Sequence, residues 1–338
     1  MTYGIAAFGY ALGEPCEVEE HAPRYTGDLK RIRDWGYRRF HRAPDGVGLT
    51  DLAERAGRDA LERAGVAADE VDLVVLAMAD VPEYLYWDPA AATQAKLGAL
   101  RAEALLVNQA CSSGVMGFDA AAGKFATHPD YRTALLITVN RVCEQYWNRM
   151  ESSTAITSDG AVAAVLRRGH EQCRWLATEV ITDGRWVDVA FLPGGGAARP
   201  VTPEHPDPGV LGNPVALMDA FLGGDLRAKL RFMRLTRDNN LAVLAAACRR
   251  AGVPVEDVRH VLHMNGTADG LAEAARDYGV PLERTNAAIA LEHGHFGCAD
   301  QLLSLGRLLE AGALPAGEPV ALTSTGNGMH WACTLLRV

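Results

Sequence analysis

The sequence predicts an α/β protein built of two similar halves, and three observations carry that reading. Short apolar runs of strand length alternate with segments of helical period along most of the chain. The same rhythm restarts after about residue 170, which divides the chain into residues 1–170 and 171–338. The 338 residues are enough for two intimately packed halves of ordinary domain size. The repeat lies in the pattern alone, without visible identity between the halves.

Each element has its own signal. The opening MTYGIAAFGY lacks the basic region of a signal peptide and reads as a first strand. Thr50 to Gly65 has helical period, with Thr50 as N-cap and a glycine stop at Gly65. Val71 to Ala77 is apolar enough for a strand buried on both faces, and Ala91 to Leu100 follows as a helix. Ala104 to Ala110 reads as a second buried strand ending at Cys111, and Ser113 to Phe125 as a helix of small residues packed deep inside. Ala134 to Asn140 and Gly160 to Arg167 complete four strands of a largely parallel sheet. Arg185 to Asn213, rich in glycine and proline, predicts a long loop or cap. The second series is helix Leu241 to Arg250, strand His260 to Met264, helix Thr267 to Tyr278, and helix Ala299 to Ala311. Strands Val320 to Gly326 and His330 to Val338 close the chain.

Composition narrows the class. The chain is 49% hydrophobic and 22% charged, as expected of a soluble globular protein, and no run approaches the ~18 uncharged apolar residues of a membrane span. A cytoplasmic protein is expected. A net charge of −9 without a basic block argues against a nucleic-acid partner. The seven cysteines are scattered and show no CxxC spacing, which disfavours a disulfide framework or a zinc ribbon; no metal site is expected. Gly194 to Gly196 has no phosphate-loop context and reads as a plain loop.

Cys111 stands apart from the other cysteines. It follows a strand and opens a helix of small residues, where unpaired N–H groups and the partial positive charge of the helix end favour a thiolate. Ser112, Ser113 and Gly114 leave room for a thioester carbonyl.

Here a resemblance becomes specific. VNQACSSGVMGFDAA, around Cys111, is similar to the nucleophile segment of the ketosynthase III (3-oxoacyl-acyl-carrier-protein synthase III) family of the thiolase superfamily. DWGYRRFHRAPDG (Asp34 to Gly46) resembles the family segment that meets coenzyme A or the carrier's phosphopantetheine. SDGAVAAVL (Ser158 to Leu166) resembles the strand closing the first half, and STGNGMHWACTLLRV (Ser324 to Val338) the glycine-rich turn and last strand. The resemblance implies a thiolase-like five-layered αβαβα fold, a homodimer, and Cys111 at the bottom of a pantetheine tunnel. It also implies a coenzyme A or phosphopantetheine thioester as acyl donor, with no permanently bound cofactor.

Two motifs depart from the family. Condensing members use a histidine in an HQAN-like motif and an asparagine in a GNTSAAS-like motif. The first maps to LHMNG, which puts His263 at the family histidine. The second maps to HGHFGCAD, where His295 takes the asparagine's place and Asp300 follows five residues later. The His/Asn pair of condensing enzymes holds a malonyl carbonyl during decarboxylation. An imidazole backed by a carboxylate is suited instead to deprotonating an alcohol or amine. Ketosynthase III-like acyltransferases of specialised metabolism, antibiotic biosynthesis among it, resemble this arrangement. Cys111 is therefore read as nucleophile, His295 as base and Asp300 as the group that orients it. Within one helix a five-residue offset sets side chains about 140° apart, so His295 must lie in the loop before the helix. The alternative for Asp300 is a carboxylate favoured by the first turn of a helix.

The resemblance also implies an oxyanion hole from the N–H groups of Cys111 and Gly328. Trp35, Arg38, Arg39 and Arg42 could clamp a nucleotide or pantetheine phosphate, or form a solvated basic turn. The cluster holding Tyr84 and Trp87 could line a substrate pocket, the dimer interface or the core. The preferred function is acyl transfer from an acyl-carrier protein or acyl-CoA, through Cys111, to a hydroxyl or amine of a small-molecule acceptor. The alternative is decarboxylative carbon–carbon bond formation using Cys111, His263 and His295. A non-catalytic partner subunit ranks last, because Cys111 is present.

Overall fold

The computed structural model describes residues 2–207 and 209–338. From the N-terminus come β1 (Tyr3–Leu12), β2 (Glu14–Glu17), α1 (Val18–His21), α2 (Leu29–Asp34), β3 (Arg39–Arg42) and α3 (Leu49–Ala64). Then follow β4 (Leu73–Met78), α4 (Pro89–Leu97), β5 (Glu103–Val107), α5 (Ser113–Thr127), β6 (Thr133–Asn140) and β7 (Gly160–Arg168). After β8 (Arg174–Thr182) the chain forms α6 (Pro214–Phe221), α7 (Leu226–Ala251), β9 (His260–Leu262), α8 (Ala268–Tyr278) and α9 (Ala287–His293). It ends with α10 (Asp300–Glu310), β10 (Pro319–Gly326) and β11 (His330–Arg337). One sheet has the order β1-β7-β6-β4-β5, a second β8-β11-β10-β9, and β2 and β3 form a two-stranded sheet.

Strand alternation builds the layers. Successive side chains of β4 point to opposite faces, so Leu73, Val75 and Ala77 join one core while Val74 and Leu76 join another. The first core lies between the sheets and encloses α5 (Phe118, Ala121, Phe125) and α10 (Leu302, Leu303, Leu305), against Leu262, Val320 and Leu322 of the second sheet. The other face of the first sheet is covered by α3 and α4. The outer face of the second sheet packs Trp331, Cys333 and Val261 against Val243, Leu244 and Ala247 of α7. The result is the five-layered αβαβα stack of a thiolase-like fold.

Several sequence expectations need correction. The sheets are mixed: β4 is parallel to β5 and β6, and β9 to β10, but β7 is antiparallel to β1 and β6, and β11 to β8 and β10. The link from β6 to β7 contains no helix, so it makes no crossover and the chain returns antiparallel. β5 is an edge strand with Leu106 exposed, so it is not buried on both faces. Thr50 lies inside α3; Gly48 caps the helix with its N–H on Asp51 Oδ2 at 2.8 Å, while Thr50 donates to Glu83. Gly65 does end α3, at φ +62°. Helix α7 starts fifteen residues earlier than its apolar period suggested, because Leu226 to Asn240 contributes no fully buried residue to a core stripe.

Candidate active site

The turn that carries Cys111 is held from several directions. β5 ends at Val107 and α5 begins at Ser113, so Cys111 lies just ahead of the helix rather than in its first turn. Ala110 adopts φ +50°, an uncommon conformation for a residue with a Cβ. Ser113 Oγ accepts the Gln109 N–H at 2.7 Å and lies 2.8 Å from the carbonyls of Met78 and Ala110, to either of which it can donate. From β10, Ser324 Oγ donates to the Cys111 carbonyl at 2.9 Å. Gly326 packs so closely on this turn that an added Cβ would stand 2.5 Å from the Gln109 carbonyl. The end of β10, just ahead of the turn that contains Gly328, thus lies against the cysteine turn.

His295 reaches the cysteine from the opposite half. Helix α9 stops at His293, and Gly294, at φ +80° and ψ −168°, redirects the chain. A side chain at that glycine would meet Ser158 Oγ at 2.5 Å. The His295 backbone is then gripped twice: its N–H donates to Ile156 O at 2.8 Å, and its carbonyl accepts the Ser158 N–H at 2.7 Å. Because His295 precedes α10, it escapes the angular separation that a single helix would impose. Its Nε2 lies 3.5 Å from Cys111 Sγ and its Nδ1 2.6 Å from Asp300 Oδ2.

Asp300 is fully buried and fully occupied. Oδ1 accepts the Phe296 N–H, and Oδ2 the Asn265 N–H, both at 2.7 Å, besides the imidazole. Burial alone would disfavour a charge on His295. The Asp300 carboxylate and the Cys111 sulfur, both hydrogen-bonded to the ring, outweigh burial and hold its pKa well above the usual histidine value.

His263 is not part of this group. Alternation along β9 sends Leu262 to the inner core and Val261 to the outer one, and His263 goes with Val261. Its Nδ1 lies 2.9 Å from Thr323 Oγ1 and 3.4 Å from the Tyr278 hydroxyl. Burial pushes its pKa down to about 4. The ring lines a cavity of about 590 Å³ between α7 and α8. Among the described residues no hydrogen bond joins it to Cys111 or His295.

The basic turn is satisfied within the chain. Arg38 and Arg39 both pair with Glu292, Arg39 also with Glu17, and Arg42 with Glu144 and Asp45. The Arg31 guanidinium covers the Trp35 ring at 4.8 Å. Arg38, Arg39 and Arg42 therefore form a solvated ion-pair cluster with Glu17, Asp45, Glu144 and Glu292. Tyr84 is 66% and Trp87 36% exposed, which excludes core packing for both; Leu85 between them lines a cavity of about 630 Å³ with Arg42, Glu83, Arg141 and Glu144. Among the described residues no three His, Cys, Asp or Glu side chains converge as a metal-holding group, and no helix is long and apolar enough to cross a membrane.

Sequence reasoning missed the supports: Asn265, Asn286, Ser158 and Ser324. The one local signal was an asparagine at a strand end beside glycine, in MNG, a position where side chains bond to backbone.

Comparisons with known proteins identify the family. The family model of 3-oxoacyl-acyl-carrier-protein synthase III matches residues 107–184, its C-terminal model residues 248–338, and the thiolase N-terminal domain residues 38–136. The beta-ketoacyl-acyl-carrier-protein synthase III of Rhodospirillum centenum is 30% identical over 321 residues, covering 92% of this chain and 91% of that protein. A synthase of the same name from Roseiflexus is 28% identical, covering 100% of this chain and 99% of that protein. Among solved structures, the 3-oxoacyl synthase III of Pseudomonas aeruginosa superposes with a TM-score of 0.80 at 26% identity, covering 100% of this chain and 98% of that one. The acyltransferase ChlB3 superposes at 0.88 and covers 100% and 98%, but its 21% identity makes this a likeness of fold. On sequence and shape together, the chain belongs to the 3-oxoacyl-acyl-carrier-protein synthase III family, thiolase-fold enzymes of acyl-thioester chemistry.

Proposed function

We propose that the protein is an acyltransferase that takes an acyl group from acyl-CoA or an acyl-carrier protein onto Cys111 and passes it to a hydroxyl or amine of a small molecule. One observation supports this above the rest: the continuous chain from Cys111 Sγ through His295 to an Asp300 saturated with donors. Because Asp300 only accepts, Nδ1 of His295 carries a proton and Nε2 is free to exchange one with sulfur or acceptor.

The steps follow from that geometry. His295 Nε2 takes the thiol proton, and the Cys111 sulfur attacks the thioester carbonyl. The donor's carbon–sulfur bond breaks, and the departing thiolate leaves with the proton from the imidazolium. The neutral imidazole next accepts the proton of the acceptor O–H or N–H as its oxygen or nitrogen attacks the acyl-cysteine. Cys111 departs and recovers the proton. The N–H groups of Cys111 and Gly328 are proposed to stabilise the carbonyl oxygen in both steps. The working form is proposed to be a homodimer in the cytoplasm, acting without a resident cofactor.

Intact-mass analysis after incubation with acyl-CoA or acyl-carrier protein is expected to show an adduct that Cys111→Ala abolishes. His295→Ala is expected to load more slowly and to fail at discharge; unchanged turnover in that variant would remove His295 from the mechanism. The second reading, decarboxylative condensation, draws on the names of the curated relatives, and CO2 release from a malonyl thioester would favour it. Absence of any adduct on Cys111 rules out both.

A further inference from the structure

We propose that Asn265 is a positioning residue that sets the His295–Asp300 geometry for discharge of the acyl-cysteine. The idea rests on the proposed roles of Cys111 and His295 and adds a residue that touches neither of the reacting atoms.

Asn265 is fully buried just beyond the end of β9 and meets the pair from two sides. Its backbone N–H donates to Asp300 Oδ2 at 2.7 Å, the same oxygen that receives His295 Nδ1–H. Its side-chain Nδ2 donates to the Gly294 carbonyl at 2.6 Å, immediately before His295. One residue thus holds both the carboxylate and the backbone from which the imidazole projects. Asn265 is itself locked, because Asn286 Nδ2 donates to its Oδ1 at 2.8 Å and to the His263 carbonyl at 2.8 Å, while Asn286 Oδ1 accepts the His263 N–H at 3.0 Å. Asn286 is buried as well. Each of these amides is assigned a donor and an acceptor role by its partners, so neither can rotate to exchange oxygen and nitrogen without losing bonds.

The opposite side of His295 is fixed by backbone bonds to Ile156 and Ser158. Without the Asn265 side chain the Gly294 N–H would keep its bond to the Ala290 carbonyl at 2.9 Å, but the Gly294 carbonyl would lose its donor, and the peptide leading into His295 would be held on the Ile156 and Ser158 side alone. Gly294 resists rotation least of any residue there, and His295 would drift from Asp300. The imidazolium would lose stabilisation and the Nε2–sulfur line would slacken.

The test separates the two half-reactions. Donors are acetyl-, butyryl- and octanoyl-coenzyme A, of which the one that loads Cys111 most fully is used. Discharge is followed to added ethanolamine, which offers a hydroxyl and an amine. Asn265→Ala is expected to load Cys111 about 2- to 10-fold more slowly, since His295 also takes the thiol proton, and to discharge about 10- to 100-fold more slowly. Discharge requires the neutral imidazole, so its rate rises with pH through the His295 pKa. In Asn265→Ala that midpoint should move to lower pH, because the pull of Asp300 weakens. Asn265→Asp keeps the shape, still accepts from Asn286, and cannot donate to Gly294 when ionised. It should also discharge slowly, but with its midpoint moved to higher pH by the added negative charge. Should the alanine variant not fold, the aspartate variant decides. A merely structural residue would lower loading and discharge equally and leave the midpoint in place, and that result, or unchanged discharge, overturns the proposal. Absence of an adduct on the parent enzyme is a different failure, that of the acyltransferase reading itself.

Discussion

Asp300 and Asp80 show how differently two buried carboxyls can be surrounded. Asp300 receives two backbone N–H groups and an imidazole. Asp80, beyond the end of β4, accepts one N–H, from Val81 at 2.7 Å. Burial pushes its pKa up to about 7, with the Val81 N–H opposing and the Asp159 charge adding to the rise. A carboxyl with a raised folded pKa binds its proton more tightly in the folded state. Stability therefore falls as pH climbs from the unfolded value near 4 through the folded value near 7. Asp80→Asn removes that dependence. Urea unfolding should show a gain larger at pH 8 than at pH 5, by roughly 2 kcal/mol. Equal gains at the two pH values would mean that Asp80 does not titrate in this range.

The β10–β11 hairpin touches the nucleophile turn through Gly326, and that contact belongs to the element rather than to any one side chain. A Cβ there would meet the Gln109 carbonyl at 2.5 Å and Ser112 Oγ at 2.9 Å. The first neighbour is backbone and cannot swing aside, so hairpin and turn must separate. Gly326→Ala is expected to slow Cys111 loading by about 10- to 100-fold, through sub-ångström misplacement of the sulfur. Stopped-flow release of free coenzyme A measures the loss. Loading at the parent rate would show that the hairpin does not hold the cysteine.

Across the whole molecule, Asp159 ties three segments to one charge. Its carboxylate accepts the N–H of Ala43, after β3, and of Val142, after β6, both at 2.8 Å. It also takes two bonds from Arg149, at 2.8 and 3.1 Å, and both side chains are fully buried. Arg149 reaches Glu144 as well. The intact pair adds little net stability, because desolvation offsets attraction, but removing Arg149 leaves Asp159 with the more distant Arg141, 3.4 Å away, as its nearest cation. Arg149→Met should lower unfolding free energy by about 3–5 kcal/mol in urea titration, and a loss below about 1 kcal/mol would contradict a buried charge at Asp159.

The sequence by itself determined what depends on neighbours along the chain. Apolar runs announced β4, β6 and β7, Gly65 the end of α3, and the strand–cysteine–helix order singled out Cys111, while the resemblance of HGHFGCAD to a family motif pointed to His295 and Asp300. Tertiary structure alone decided which partners meet across the fold. Arg38 and Arg39 looked free until Glu292, more than 250 residues away, arrived beside them. Past the end of β9, His263 bonds to Thr323 across the sheet and the Asn265 N–H reaches Asp300. Local propensity reports the conformation of a few residues, whereas a hydrogen bond or ion pair between distant segments exists only after the layers have packed. For that reason the cysteine could be named from its own surroundings, and the frame that brings an imidazole to 3.5 Å from its sulfur could not.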